Sequence, residues 1–140
     1  MKGTYYIDSN VFLYPVLYQG LPEVEFSKKI LSAIECKEIK AYTSTLTWDE
    51  VSFVTEKLLG KTDAIAVGKK FINFPFLRLI PADDEIIRMS QLFREKYNLK
   101  PGDSIHLSSA IKRQIKRIVT DDGDFDDIKE IERIQISELS

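Results

Sequence analysis

Apolar residues recur along this chain with two different spacings. Short β-rich runs, "TYYI" (4–7), "KAYTS" (40–44), "FLRLI" (76–80) and "RIVT" (117–120), are separated by longer stretches with helical periodicity. Phe26, Ile30, Ala33 and Ile34 set the pattern of a predicted helix over 23–36. Further helices are predicted over 45–59, ending at Gly60, over 62–73, over 83–97, and from "KPGD" to about Gln114. "VFLYPVLY" reads as a helix capped by Ser9 or Asn10 and bent or shortened by Pro15. "RIQIS" (133–137) is a candidate last strand.

Strands that alternate with helices predict an α/β fold, a central and mostly parallel sheet of 4–5 strands with helices on both faces. No repeat, low-complexity tract or Ser/Gly-rich linker divides the sequence, so residues 1–140 read as one domain. In open sheets of this kind, ligands bind beyond the carboxyl ends of the strands, where the strand order reverses. That rule directs the search for chemistry to residues just after each strand.

Composition adjusts this picture in three ways. A chain of 140 residues that is 44% hydrophobic buries a core without disulfide or metal staples. The single cysteine, Cys36, excludes an intrachain disulfide, and its place in a helical apolar pattern predicts a small core residue. The net charge of −2 excludes a globally basic nucleic-acid binder, yet a local basic patch or bound cations still attract phosphate. "MKGTYYIDSN" lacks the apolar region of a signal peptide, and no stretch reaches the ~20 apolar residues of a membrane span. A cytoplasmic protein is expected.

Against this background the acids stand out. Residues 121–127 hold five aspartates in seven positions, directly after the strand "RIVT". Asp8 follows "TYYI" and Asp122 lies two residues past "RIVT", so both belong at the carboxyl edge. Asp8 also reads as a helix cap, although Ser9 and Asn10 offer the same service. Glu50 closes a capping-box pattern with Thr47; a helical wheel instead sets it at the border of an inner face formed by Val51, Val54 and Leu58, with Asp49 and Glu56 nearly opposite. Asp103 shares a helix face with Leu107, Ala110 and Ile111. Its carboxylate favours the helix dipole, but an acid aimed at the core side costs several kcal/mol unless its charge is compensated. A divalent cation is the simplest compensation, and His106 reads as a supporting group beside it.

Several carboxylates without a Cys or His set favour Mg²⁺ or Mn²⁺ over Zn²⁺. An EF-hand read from Asp122, Asp124 and Asp126 fails, because Asp127 stands where Gly is required and Arg133 where Glu is required.

"YIDSNVFLY", an inward Glu after the second strand, "KPGDSIHLSSAI" and "IVTDDGDF", in this order, resemble PIN-domain nucleases, and most closely their VapC-type ribonuclease toxins. The resemblance implies a PIN-like fold over nearly the whole chain. It also implies that Asp8, Glu50, Asp103 and Asp122 are the catalytic, metal-binding acids, with Asp124 an auxiliary metal acid and Thr120 the small hydroxyl residue before them. Asp121, Asp126 and Asp127 depart from the pattern and leave open whether Asp121 or Asp124 shares the site; Asp126 and Asp127 read as cap or surface. The implied activity is metal-assisted hydrolysis of RNA, and the implied partners are RNA, an antitoxin protein and a second copy of the chain.

Two further expectations concern surfaces. Lys112, Arg113, Lys116 and Arg117 form a candidate phosphate-contacting patch. Phe12, Tyr14, Tyr18, Phe26, Trp48 and Phe53 exceed the evident needs of a small core and suggest a groove for an antitoxin helix or a homodimer seam. Rival sheet-edge acid proteins fit poorly. A haloacid-dehalogenase-type phosphatase needs an acid where Asn10 stands, and a receiver domain needs one where Pro81 and Ala82 follow the third strand. The alternatives that remain are a PIN-like binding module without activity and an RNA-processing nuclease outside any toxin pair.

Overall fold

A computed structural model describes residues 2–139. Five strands, β1 (Thr4–Ile7), β2 (Lys40–Ser44), β3 (Leu77–Ile80), β4 (Arg117–Val119) and β5 (Glu132–Ile134), form one sheet in the order β3-β2-β1-β4-β5. Every pairing is parallel, with Tyr6 opposite Tyr42 on one side and Ile118 on the other. The helices are α1 (Ser9–Leu17), α2 (Pro22–Glu35), α3 (Leu46–Leu59), α4 (Lys61–Ile72), α5 (Asp84–Lys96), α6 (Pro101–Lys112) and the short α7 (Ile136–Leu139). The expected α/β architecture is therefore present, with the sheet wholly parallel.

The strand order explains where a site can form. The chain steps outward from β1 to β2 and β3, then returns across the sheet to β4 on the other side of β1. Right-handed crossovers in opposite directions put their helices on opposite faces. The two faces accordingly carry separate cores. Tyr5, Ile7, Val119, Ile30, Ile34 and Phe12 pack on one face, and Tyr6, Ile118, Leu107, Phe125 and Ile128 on the other. Successive side chains of β1 and β4 thus alternate between cores, as the two-residue period of a strand demands. The order reverses between β1 and β4, and the crevice lies at their carboxyl ends.

Several sequence expectations change in detail. Phe76 precedes β3 in a left-handed conformation (φ 62°) and is outside the strand. The last strand stops at Ile134, and residues 136–139 form α7, whose Ile136 is buried against the first core. The cap of α1 is Asp8, whose Oδ1 accepts from the Ser9 N–H at 2.7 Å. The inner face of α3 is Thr47, Val51 and Thr55, while Leu58, in its last turn, is exposed. The capping box does not form: the Thr47 hydroxyl meets that of Thr43 at 2.6 Å. Cys36 sits just past the end of α2 and is exposed, so it is no core residue. Among the described residues, no helix is long and apolar enough to cross a membrane.

Candidate active site

The carboxyl ends of β1 and β4 are tied by one hydroxyl. Thr120 Oγ1 donates to Asp8 Oδ2 at 2.7 Å and accepts from the Asn10 side-chain amide and the Asp122 backbone N–H, each at 3.0 Å. Asp8 is 5% exposed, with one oxygen turned to its own helix and the other to Thr120. Asp122 begins the next turn, its Oδ1 accepting from the Asp124 N–H at 2.9 Å. The small hydroxyl residue implied by resemblance is therefore the joint between the two strands.

The second crossover brings in Glu50 and the third brings in Asp103. Glu50, in the first half of α3, is half-buried, while its neighbour Asp49 is exposed. Glu50 Oε1 lies 2.6 Å from His106 Nε2, and the same nitrogen lies 3.4 Å from Asp8 Oδ1. On its other side the His106 Nδ1 meets the Tyr6 hydroxyl at 2.6 Å. Burial opposes charge on this imidazole, but the polar and acidic groups around it, Tyr6, Asp8 and Glu50, hold its pKa well above the usual value. Burial keeps the Tyr6 phenol neutral by pushing its own pKa up. Nε2 thus carries a proton and donates to Glu50. His106 belongs to the supporting group, as its position off the core face suggested, although it stands within ligand distance of Asp8 and Glu50.

Gly102 is a residue that periodicity and charge did not single out. A Cβ there would stand 3.1 Å from Glu50 Oε2, a tight contact, so glycine lets the first turn of α6 lie close against the carboxylate. One residue on, Asp103 is half-buried, and its Oδ2 is fully buried with no hydrogen-bond partner. Burial first, then the negative charges of Asp122 and Asp8, push its pKa up to about 7. Among the described residues, no lysine or arginine forms an ion pair with Asp8, Glu50, Asp103, Asp122 or Asp124. Each acid offers one oxygen to one of two close groups, Asp8–Glu50–His106 and Asp103–Asp122–Asp124, with ligand atoms within 4.8 Å of one another in each.

The remaining acids point elsewhere. Asp121 accepts from the Tyr14 hydroxyl and stands outside both groups, so Asp124 and not Asp121 joins the cluster. Asp126 pairs with Arg133, which also donates to the Thr120 carbonyl, and Asp127 is exposed. A partnerless buried oxygen, a proton-holding aspartate and an all-oxygen donor set are the features that a hard divalent cation satisfies.

The expected phosphate patch does not face these acids. Lys112 is held by Asp83 at 3.3 Å and Glu85 at 3.0 Å. Arg117 begins β4, at the opposite end of the strand from the site, and its guanidinium stacks 4.2 Å over Tyr5. The expected partner groove is also smaller than its residue set. Phe12 is core, and Phe26 and Tyr14 pack partly buried against it. Tyr18, Trp48 and Phe53 are exposed, and α4 adds exposed Ile65 and Ile72 that the sequence reading passed over.

Comparison with known proteins agrees with this geometry. The chain is 28% identical to Ribonuclease VapC2 of Methanocaldococcus jannaschii, covering 94% of this chain and 93% of the relative. Its fold is similar to that of Mycobacterium tuberculosis VapC20, a sarcin–ricin loop cleaving toxin (TM-score 0.74, 12% identity, 91% and 96% of the two chains covered). It is also similar to a DNA-bound VapBC complex from Salmonella typhimurium (TM-score 0.73, 18% identity, 95% and 98% covered). The family model of the PIN domain matches residues 5–131, and with the acids standing where that fold converges, the chain belongs to the PIN domain family.

Proposed function

We propose that the chain is a divalent-metal-dependent endoribonuclease and the toxin of a toxin–antitoxin pair. The observation that carries this reading is the set of carboxylates without a lysine or arginine partner at the β1/β4 switch point, above all the buried, partnerless Oδ2 of Asp103. Asp8, Glu50, Asp103 and Asp122 hold the cation, with Asp124 at the exposed rim, and oxygen donors favour Mg²⁺ or Mn²⁺. When bound, such an ion supplies Lewis-acid neutralisation of charge on the phosphate oxygens and makes water a stronger acid.

The chain's own residues do the rest. Thr120 and the α1 N-terminus fix both oxygens of Asp8. The Tyr6–His106 pair aims Glu50. Asp124 is available to orient the attacking water and take its proton, giving cleavage to 5′-phosphate and 3′-hydroxyl ends. RNA as substrate is supported by the ribonuclease and RNA-cleaving-toxin relatives.

An antitoxin partner is supported by the VapBC complexes and by an apolar surface on α3 and α4. Trp48, Ile65 and Ile72 are exposed around a cleft of about 450 Å³ whose floor includes Ala64 and Gly68. This surface suits the apolar face of a partner helix or a second copy of the chain.

Incubation with total cellular RNA and Mn²⁺, followed by mapping of new 5′ ends with Asp8→Asn as blank, tests the activity. Ends at defined sites that require Asp8 are expected. Ends that appear equally with the blank, or none with any divalent metal, leave a PIN-like binding module in its place. Light scattering on eluting protein tests self-association, and a monomer at micromolar concentration removes the homodimer.

A further inference from the structure

The edge of the sheet opposite the acids carries a concentration of positive charge that the hydrolytic reading leaves unused. Lys2, Lys37, Lys40 and Arg78 line an open cleft of about 840 Å³ at the amino ends of β1, β2 and β3. Arg117 adjoins it, where a side chain on Gly3 would collide with the guanidinium, and Lys116 is one residue before. The cleft lining itself sets four cations against one acid, Glu38, a charge of +3 that leaves −5 for the rest of a chain whose total is −2.

The cations do not hang free in solvent. Lys37 lies 4.2 Å over the Phe76 ring, Arg78 5.6 Å and Lys40 5.8 Å over Tyr42, and Arg117 4.2 Å over Tyr5. Phe76 nevertheless remains 54% exposed. Cations interleaved with an accessible aromatic ring are the combination that grips a nucleic-acid strand, phosphate by charge and base by stacking. A solvated lysine surface needs no such rings. Lys37 (φ 60°) and Phe76 (φ 62°) are both left-handed, the first at a position after a helix that glycine ordinarily holds. A left-handed backbone is unfavourable for a bulky side chain such as phenylalanine. Lys37 takes its conformation as the cap that ends α2, where the Glu38 N–H donates to the Ala33 carbonyl at 2.8 Å, so the left-handed residue that no cap explains is Phe76, inside the charged cleft.

We propose that this amino-edge cleft is a second binding site for single-stranded RNA, one that holds the strand flanking the cleavage point. The proposal rests on the ribonuclease reading above and adds to it where the substrate is gripped. About 13 Å of strand separates the cleft from the acids, so only an RNA long enough to round the sheet touches both. Cation–phosphate contact at one end of the sheet offsets the repulsion that the acidic end exerts on the same strand.

The test measures binding of a long oligoribonucleotide by fluorescence anisotropy in the uncleaving Asp103→Asn protein, with and without Lys2→Gln, Lys37→Gln, Lys40→Gln and Arg78→Gln together. Affinity should fall about tenfold or more, and the slope of log affinity against log salt should shrink by about 3, at roughly 0.7 per phosphate contact. Phe76→Leu alone should weaken binding about fivefold or more through lost stacking. In the catalytically intact protein, cleavage of a trinucleotide should be unchanged by the four substitutions, and an unaltered melting temperature excludes misfolding. Neutralising Lys28, Lys29, Arg88 and Lys129 instead should leave affinity near that of the parent.

Equal affinity and salt slope in the four-fold variant would overturn the proposal, as would a cleft that binds duplex DNA or polyglutamate in preference to RNA. A parent that cleaves RNA while the variant binds like it removes only this site. A parent that neither binds nor cleaves RNA removes the ribonuclease reading itself.

Discussion

The two ends of the sheet share the same five parallel strands but handle charge in opposite ways. At the carboxyl end, Asp8, Asp103 and Asp122 crowd together, and among the described residues no lysine or arginine pairs with them, His106 being the one basic group beside them. At the amino end, cations lie over Tyr5, Tyr42 and Phe76, which stabilise them without neutralising them. One end is incomplete without a cation and the other receptive to an anion. A phosphodiester substrate with its metal supplies both. The polarity of parallel strands sorts chemistry here as well as backbone direction.

The comparison breaks most readily at the acidic end. Asp8→Asn or Asp122→Asn should leave a folded protein whose rate of RNA cleavage, followed with saturating Mn²⁺, drops more than about 100-fold. Even changes in the supporting shell of metal sites cost about 10–100-fold. Parent-like rates for either variant would dissolve the site.

His106→Ala should weaken Mn²⁺ binding by about 10–100-fold in titration calorimetry, because Glu50 loses its clamp. Tyr6→Phe, which removes only the far hydroxyl, should act in the same direction and less strongly. Affinity untouched by both changes would make His106 a packing residue.

Asp103 sharpens the contrast through pH. Its folded pKa of about 7 lies above the ordinary 3.8, so the metal-free folded state holds this proton more tightly than the unfolded chain. The resulting stability is complete below about pH 4 and lost as pH rises through about 7. After screening of this half-exposed group, the loss is on the order of 1–2 kcal/mol. The melting temperature of the metal-free protein should therefore fall by about 3–6 °C between about pH 5 and pH 8. Mn²⁺ should reverse that fall, and Asp103→Asn should flatten it; a flat curve for the parent would deny the carboxylate its raised pKa. The smallest effect is expected from Asp49→Asn, which lies on the exposed face of α3 and should cleave RNA within about twofold of the parent rate.

Much of this was legible in the sequence because it depends on local periodicity. Short β-rich runs placed Asp8 and Asp122 just past their carboxyl ends, and helix phase separated Glu50 from Asp49. What depends on distant packing was not legible. Thr47 suggested a cap until Thr43, on the preceding strand, engaged its hydroxyl. Cys36 fitted an apolar pattern that had already ended in the turn after α2. Lys112 and Arg117, five positions apart, read as one patch, but the helix end gives Lys112 to Asp83 and Glu85 while the strand start gives Arg117 to Tyr5. Gly102 bears no charge and breaks no pattern, and only its contact with Glu50 reveals its use. The amino-edge cleft gathers residues from four separate segments and leaves no motif.

The Thr120 hydroxyl has a consequence in time as well as in space. It joins Asp8 to a residue 112 positions later, and Asp122 and Asp124 lie beyond it. A domain folds as a unit, so Asp8, made early, gains this partner only once β4 is available to pair beside β1. A growing chain that lacks the last strands has neither the joint nor the second group of acids. On the proposed reading of the site, hydrolytic capacity therefore arrives only with the nearly finished polypeptide.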